Sequence, residues 1–242
     1  MEKFKSFITE AKQEVYKVVV LSVEYGDTAT TANRIKEEAD KLKFPNYVIP
    51  LDGASITYDG TYKIYELNDD AGFEISPADT VVFIRGTPTK DSSLDLISEL
   101  EKIGICVVNS RETIAIAVDK FRTYIKLKDY GLTQPKTVLI PNEEALEASV
   151  EKLDTPFPII MKTLRGSKGI GVLFIESERA LSSIVQLMYK TDSNADLLIQ
   201  EYIKTDFDVR VIVLNGLVIA TMQREVVEGD FRTNYSQGSS SE

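Results

Sequence analysis

The residues with the clearest chemical potential lie at 157–176, FPIIMKTLRGSKGIGVLFIE. An apolar run ends in Lys162. A basic, glycine-rich loop follows, with Arg165, Gly166, Ser167, Lys168, Gly169 and Gly171, and then a second apolar run from Val172 to Ile175. Two strand-like runs joined by a glycine-rich turn predict a β-hairpin. Glycines let a loop come close to a ligand, and exposed N–H groups beside Lys162, Arg165 and Lys168 suit phosphate. The glycine order, GxxGxG followed by a strand, is neither GxxxxGK[ST] nor GxGxxG, both of which open a helix. With no helix N-terminus on hand to hold a phosphate, the loop reads as a flap between antiparallel strands. An ordinary charged hairpin turn fits the same residues.

Bulk composition narrows the rest. The chain has 242 residues, enough for one large or two modest domains with a sizeable core. Its 43% hydrophobic and 27% charged residues are those of a soluble globular protein. A formal net charge of −10 argues against nucleic-acid or membrane-surface binding, while leaving room for a local basic pocket. There is no histidine, so histidine triads and histidine-ligated metals are excluded. Chemistry must come from carboxylates, Lys, Arg, hydroxyls or a metal held by oxygen ligands. The single cysteine, Cys106, sits in the apolar run 105–108 and is expected in a core strand. It can form no disulfide within the chain, consistent with a reducing compartment. The first residues, MEKFKSFITEAKQE, are charged and lack the apolar stretch of a signal peptide. No apolar run approaches membrane-spanning length. A cytoplasmic protein is expected.

Apolar spacing supplies the elements that must carry these residues. Phe4, Phe7, Ile8 and Ala11 predict a short amphipathic helix. Strands are predicted at 17–24, 47–51, 78–85 and 105–109, and helices at 30–42 and 94–103. Residues 55–67 alternate around Asp59-Gly60 and predict a hairpin. Strands alternating with helices imply a mostly parallel, doubly wound sheet. Gly26, Arg85 and Gly86 fall at its strand ends, where such sheets bind ligands; plain loop glycines and a solvated arginine fit as well. Residues 112–132 read as one helix closed by Gly131. A strand at 136–140 and a helix from an Asn142 cap to Leu153 follow. After the 157–176 hairpin come a helix at 178–190, a strand at 197–203, and a second hairpin at 208–224 turning on Asn215-Gly216. This half is α+β. Residues 228–242 are polar and without periodicity.

Several separated pieces then stand in a telling order: Asp119-Lys120, residues 158–162 with RGSKGIGV, QEYI at 200–203, Asp208-Val209-Arg210, and EGDFRTN at 228–234. In that order they resemble the ATP-grasp superfamily, and within it the RimK-type glutamate ligases, which add glutamate to the C-terminus of a ribosomal protein. EGDFRTN is the most specific piece. The resemblance covers nearly the whole chain, loosely in the first half and closely from about Asp119. It implies an α/β fold: a doubly wound parallel-sheet (pre-ATP-grasp) domain at 1–118, then an α+β ATP-grasp domain at 119–242, truncated at its C-terminus.

The resemblance also implies roles. Lys120 and Lys162 would contact ATP phosphates, Lys162 also near the base, as point charges. The loop 165–171, with Gly166, Ser167, Lys168 and Gly169, would close over the phosphates. Glu201 and Tyr202 would hold adenine, and Asp208 the ribose hydroxyls. Arg232, with Thr233 and Asn234, would lie at the transferred phosphate and substrate, with Arg210 and Arg224 as neighbours. The implied reaction is carboxylate–amine ligation through an acyl phosphate, which asks for positioning and charge neutralisation more than proton relays. Its partners would be glutamate or a similar amino acid and a peptide or protein carboxylate, such as that of a ribosomal protein. Homo-oligomers fit the family too. One departure stands out. The family's magnesium ligands, an acidic residue and a Glu-x-Asn pair, belong after EGDFRTN, and no Glu-x-Asn occurs between Asn234 and Glu242. Magnesium is expected from the family, with no ligand assigned here. A catalytically silent nucleotide-binding or interaction module is the alternative.

Overall fold

The computed structural model describes residues 16–24, 26–66, 69, 71–88, 90–166 and 171–226. These fall into two compact units that divide between Ala115 and Ile116. The helix expected around Phe4–Ala11 and the polar stretch 228–242 lie outside the described residues.

In chain order the first unit runs β1 (Lys17–Ser22), α1 (Thr30–Lys41), β2 (Asn46–Pro50), β3 (Ala54–Tyr58), β4 (Tyr62–Glu66), β5 (Phe73–Ile75), β6 (Thr80–Arg85), α2 (Asp91–Lys102) and β7 (Cys106–Val108). Four strands pair in parallel in the order β2-β1-β6-β7. Strand parity then sorts the side chains between two layers. Val18, Val20, Val48 and Phe83 meet Ala29, Ala32, Ile35 and Ala39 of the α1 segment. Val19, Leu21, Ile49, Val82 and Ile84 meet Ile97 and Leu100 of α2, and also Ile64 and Ile75 from the antiparallel meander β3-β4-β5. A sheet covered on both faces explains why KVVVLS reads as a continuous apolar run.

The second unit begins within α3 (Arg111–Ala117) and continues α4 (Lys120–Asp129), β8 (Thr137–Ile140), α5 (Leu146–Leu153), β9 (Ile159–Thr163), β10 (Val172–Ile175), α6 (Glu178–Thr191), β11 (Leu197–Glu201), β12 (Phe207–Leu214) and β13 (Leu217–Glu225). Four of its strands form an antiparallel sheet in the order β10-β9-β11-β8. One face carries Ile140, Ile159, Met161, Ile175, Leu197 and Ile199. These pack on Leu153 of α5 and on Leu181 and Val185 of α6. Each fully buried side chain of this size contributes on the order of 1.5–3 kcal/mol. That layer therefore holds the sheet, and the opposite face is left to other uses. The strands β12 and β13 form a separate two-stranded ribbon whose side chains are mostly exposed on both faces. Its turn is the expected one, with φ of 49° at Asn215 and 74° at Gly216.

Two expectations need correction, and one strand was missed. The helix expected over 112–132 is two helices, because the Asp119 carboxylate accepts from the N–H groups of Phe121 (3.0 Å) and Arg122 (2.9 Å) and starts α4 afresh. Its end is as expected: Gly131 has φ 72°, and the N–H groups of Gly131 and Leu132 return to the carbonyls of Lys128 and Leu127. Cys106 is exposed, since β7 is an edge strand of the parallel sheet. The short strand β5 gave no periodic signal and was not expected. Gly86 has φ 84°, and a Cβ there would stand 2.7 Å from Val23 Cβ, so packing already accounts for that glycine.

The base of the glycine-rich hairpin is closed by the Thr163 N–H donating to the Gly171 carbonyl at 2.9 Å. Gly171 has φ 77°, and a Cβ on it would meet Thr163 Oγ1 at 2.3 Å. Gly131 has a similar φ but nothing within 4 Å of such a Cβ. Gly171→Ala is therefore expected to destabilise the protein by roughly 1–3 kcal/mol more than Gly131→Ala, because it adds overlap to the same backbone strain. Urea unfolding of the two variants checks this, and an equal loss at both positions contradicts the close approach.

Candidate functional site

The second face of the antiparallel sheet carries the site. Ile160, Lys162, Leu198 and Gln200 alternate with the buried set, and the register pairs Lys162 with Leu198 and Gln200 with Ile160 and Thr137. A cavity of about 230 Å³ opens on this face, lined by Ala117, Lys120, Thr123, Tyr124, Gln134, Lys162, Leu198 and Gln200. That is room for part of a drug-sized or nucleotide-sized ligand.

Two cations meet there. Lys120 sits in the first turn of α4, directly after the capping Asp119. Its backbone N–H donates to the Leu164 carbonyl at 3.0 Å, and its Nζ donates to the carbonyls of Thr163 (2.9 Å) and Leu164 (3.4 Å). The Asp-Lys pair thus has a division of labour: the aspartate starts the helix and the lysine reaches the end of β9. Lys162 Nζ donates to Gln200 Oε1 at 2.5 Å. Burial pushes both lysines below their ordinary value of 10.5. For Lys162 the nearby Lys120 charge adds to burial; for Lys120 the neighbouring Asp119 opposes it. Among the described residues no carboxylate lines the cavity beside either lysine. A half-buried pair of ammonium groups, only one of which has an acidic neighbour in Asp119, fits a phosphate-bearing ligand.

The other expected residues are placed as follows. Gly166 lies at the edge of the described loop with φ 144°. Ser167, Lys168 and Gly169 lie outside the described residues, as do Arg232, Thr233 and Asn234. Glu201 ends β11, where its N–H donates to the Lys136 carbonyl (2.9 Å) and its carboxylate accepts from the Lys136 N–H (3.1 Å). That carboxylate oxygen is engaged in tying β11 to the start of β8. Tyr202 packs edge-on against Phe174, with ring centroids 5.0 Å apart. On the ribbon, Asp208 stands opposite Arg224 and Arg210 opposite Met222, which puts Asp208, Arg210 and Arg224 on one face. Arg224 Nε donates to Asp208 Oδ1 at 2.7 Å, and its Nη2 donates to Oδ2.

Sequence reasoning missed Thr123, Tyr124, Gln134, Thr137 and Gln200. The available signal was polar residues at cavity-side positions of otherwise apolar strands, Gln200 in LLIQE and Thr137 in TVLI. Among the described residues no group of three or more His, Cys, Asp or Glu is arranged to hold a metal ion. In the first unit a cleft of about 60 Å³ is lined by Val23, Leu51, Asp52, Pro88, Lys90 and Ser93. Arg85 ends β6 exposed. No helix among the described residues is long and apolar enough to cross a membrane.

Comparison with known proteins points the same way. The profile of the RimK-like ATP-grasp domain matches residues 117–242. A probable alpha-L-glutamate ligase of Pseudoalteromonas atlantica is 25% identical over 218 residues, covering 89% of this chain and 60% of that protein. A probable alpha-L-glutamate ligase of Coxiella burnetii is 31% identical over 169 residues, covering 69% of this chain and 55% of that protein. The chain thus spans little more than half the length of these curated relatives. A RimK domain ATP-grasp protein of Sphaerobacter thermophilus shares the fold, with a TM-score of 0.65 at 20% identity over 88% of this chain and 76% of that one.

The lysine environment predicts a pH dependence. With a folded pKa below 10.5, Lys162 releases its proton in the folded state before it does so unfolded. Between those two values the unfolded chain binds more protons, so this group makes stability rise with pH. Comparing Lys162→Met with the unaltered protein cancels the other titrating groups. Urea midpoints at stepped alkaline pH should show the unaltered protein gaining on Lys162→Met as pH rises toward 10.5. A difference that stays flat or shrinks contradicts the desolvated setting of Lys162.

Proposed function

Because this chain belongs to the RimK-like ATP-grasp family, we propose that it binds ATP on the open face of β9 and β11 and serves ATP-dependent ligation of a carboxylate to an amine. The observation that carries this reading is the convergence of Lys120 and Lys162 on one cavity that no carboxylate lines among the described residues. Two ammonium groups held by neutral carbonyl and amide oxygens keep donors and net charge for phosphate oxygens. Residues 1–118 then form the α/β domain preceding an ATP-grasp domain at 119–242. The break between Ala115 and Ile116 and the profile match from residue 117 support that division.

In ligation of this class, transfer of the γ-phosphoryl group to a carboxylate gives an acyl phosphate and ADP. Attack of the amine on the acyl carbon then releases phosphate and forms the amide. What such steps ask of the protein is charge neutralisation and alignment. Lys120 and Lys162 offset phosphate charge. Arg232, with Thr233 and Asn234, is assigned to the transferred phosphoryl group, Arg210 to the neighbouring ribbon face, and Gly166 with Ser167, Lys168 and Gly169 to the covering loop. Glu201 and Tyr202 border the adenine, and Asp208 takes the ribose. Magnesium, when bound, would offset phosphate charge; among the described residues no cluster of His, Cys, Asp or Glu fits it. The naming of the relatives supports glutamate as the amino acid. A peptide or ribosomal-protein carboxylate as acceptor, a homo-oligomeric state and a cytoplasmic setting are parts of the same proposal.

Isothermal calorimetry with ATP checks the site. Lys162→Ala is expected to weaken binding by about 1.5–3 kcal/mol, the scale of a lost charge-assisted hydrogen bond. Unchanged affinity removes Lys162 from the site. Turnover is checked by incubating the chain with ATP, magnesium, glutamate and peptides ending in an acidic residue. Acceptor-dependent ADP release and a glutamate mass increment support the ligase. ATP binding with no turnover on any acidic acceptor supports the silent nucleotide-binding module instead.

A further inference from the structure

We propose that Gln200 is a positioning residue that aims the Lys162 ammonium into the nucleotide site through a one-way chain of hydrogen bonds anchored at Thr137; the inference rests on the ATP reading of this cavity. The direction of the chain follows from its donors. Thr137 Oγ1 donates its single proton to the Pro135 carbonyl at 3.0 Å. That oxygen is left as an acceptor, so the Gln200 side chain must turn its Nε2 toward it, and the two atoms are 2.7 Å apart. The amide then has one orientation, with Oε1 facing Lys162 Nζ at 2.5 Å. Sheet register places every member: Thr137 is directly opposite Gln200 across β8 and β11, and Lys162 is diagonal to Gln200 across β9 and β11.

The chemistry of the amide matters as much as its place. A carboxylate at position 200 would also hold Lys162, but it would neutralise the charge and repel a phosphate. A neutral amide accepts one of three ammonium protons and leaves the other two, and the charge, for the ligand. Lys120 is handled in the same way, its Nζ donating to two backbone carbonyls. An unbranched lysine side chain otherwise has four rotatable bonds to order when phosphate arrives, so an aimed ammonium binds with less loss of freedom. Leu198, which is 1% exposed and opposite Lys162 in register, gives the lysine stem an apolar floor.

The test uses Gln200→Leu, Gln200→Glu, Thr137→Val and the Thr137→Val/Gln200→Leu pair, each checked for the unaltered circular dichroism spectrum. The titration of Lys162 is followed without ligand by NMR of its ε-methylene signal, assigned through its loss in Lys162→Arg. Titration is expected at lower pH in Gln200→Leu and at higher pH in Gln200→Glu. ADP affinity, by calorimetry, should fall roughly tenfold in Gln200→Leu and also fall in Gln200→Glu despite its better-held lysine. Thr137→Val should fall less, and adding it to Gln200→Leu should cost nothing further, because the chain is already cut. If ADP binds the unaltered protein while Gln200→Leu binds it equally well with an unmoved titration, the positioning role is overturned and the nucleotide site stands. Strictly additive losses in the double variant also overturn it. If the unaltered protein binds neither ADP nor ATP, the nucleotide reading falls and this inference falls with it.

Discussion

Two ammonium groups that share a half-buried cavity repel each other, and among the described residues the cavity wall offers them no carboxylate. The second unit is organised around tolerating that. Lys120 leans on the carbonyls of Thr163 and Leu164, and Lys162 on the Gln200 amide. Each of these partners is a dipole and not a charge, so the repulsion is eased without being cancelled. The outcome is a site with a standing deficit of negative charge in a chain whose net charge is −10. An anion entering the cavity relieves both the desolvation and the repulsion, which a surface lysine pair would not offer.

That arrangement depends on packing on the other side of the same sheet. Met161 and Lys162 are adjacent, and strand parity sends one to the α5–α6 layer and the other to the cavity. A slip of one residue in β9 would bury the ammonium among Ile140, Leu181 and Val185 and expose Met161. The apolar layer therefore sets the register, and the register aims the lysine. The same reasoning covers β11, where Leu197 and Ile199 hold the strand while Leu198 and Gln200 face the cavity.

Much of this was readable beforehand because it is local. Apolar periodicity, the Asn215-Gly216 turn, the Asn142 cap on Ala145 and the Gly131 helix end all depend on neighbours in sequence. The family resemblance singled out Lys120 and Lys162, which the fold brings into one cavity. What escaped was set by partners distant in sequence. Gln200 and Thr137 lie 63 residues apart, and only the β8–β11 pairing makes them neighbours. Cys106 sits in a run as apolar as any core strand, yet its exposure depends on β7 having a partner on one side only. The break before Lys120 was local but was hidden, because apolar spacing runs on through Val118 while the Asp119 side chain restarts the helix.

The ribbon shows how an expected ligand contact and an observed ion pair can belong together. Register puts Asp208 opposite Arg224, and the guanidinium reaches both carboxylate oxygens. A carboxylate has about four lone-pair sites, and the two-pronged arginine engages one on each oxygen. The arginine also holds the carboxylate plane still, and Arg224 is the less exposed of the two, at 14% against 35%. Since a lone aspartate on an exposed ribbon would be free to rotate, the pairing makes Asp208 a better-defined acceptor. On the opposite face, register sets Glu225, Gln223 and Thr221 against Phe207, Val209 and Val211, so both faces of the ribbon carry polar side chains. What sets the first face apart is the two-pronged Asp208–Arg224 pair with Arg210 beside it, a fixed arrangement of charge on an otherwise exposed ribbon.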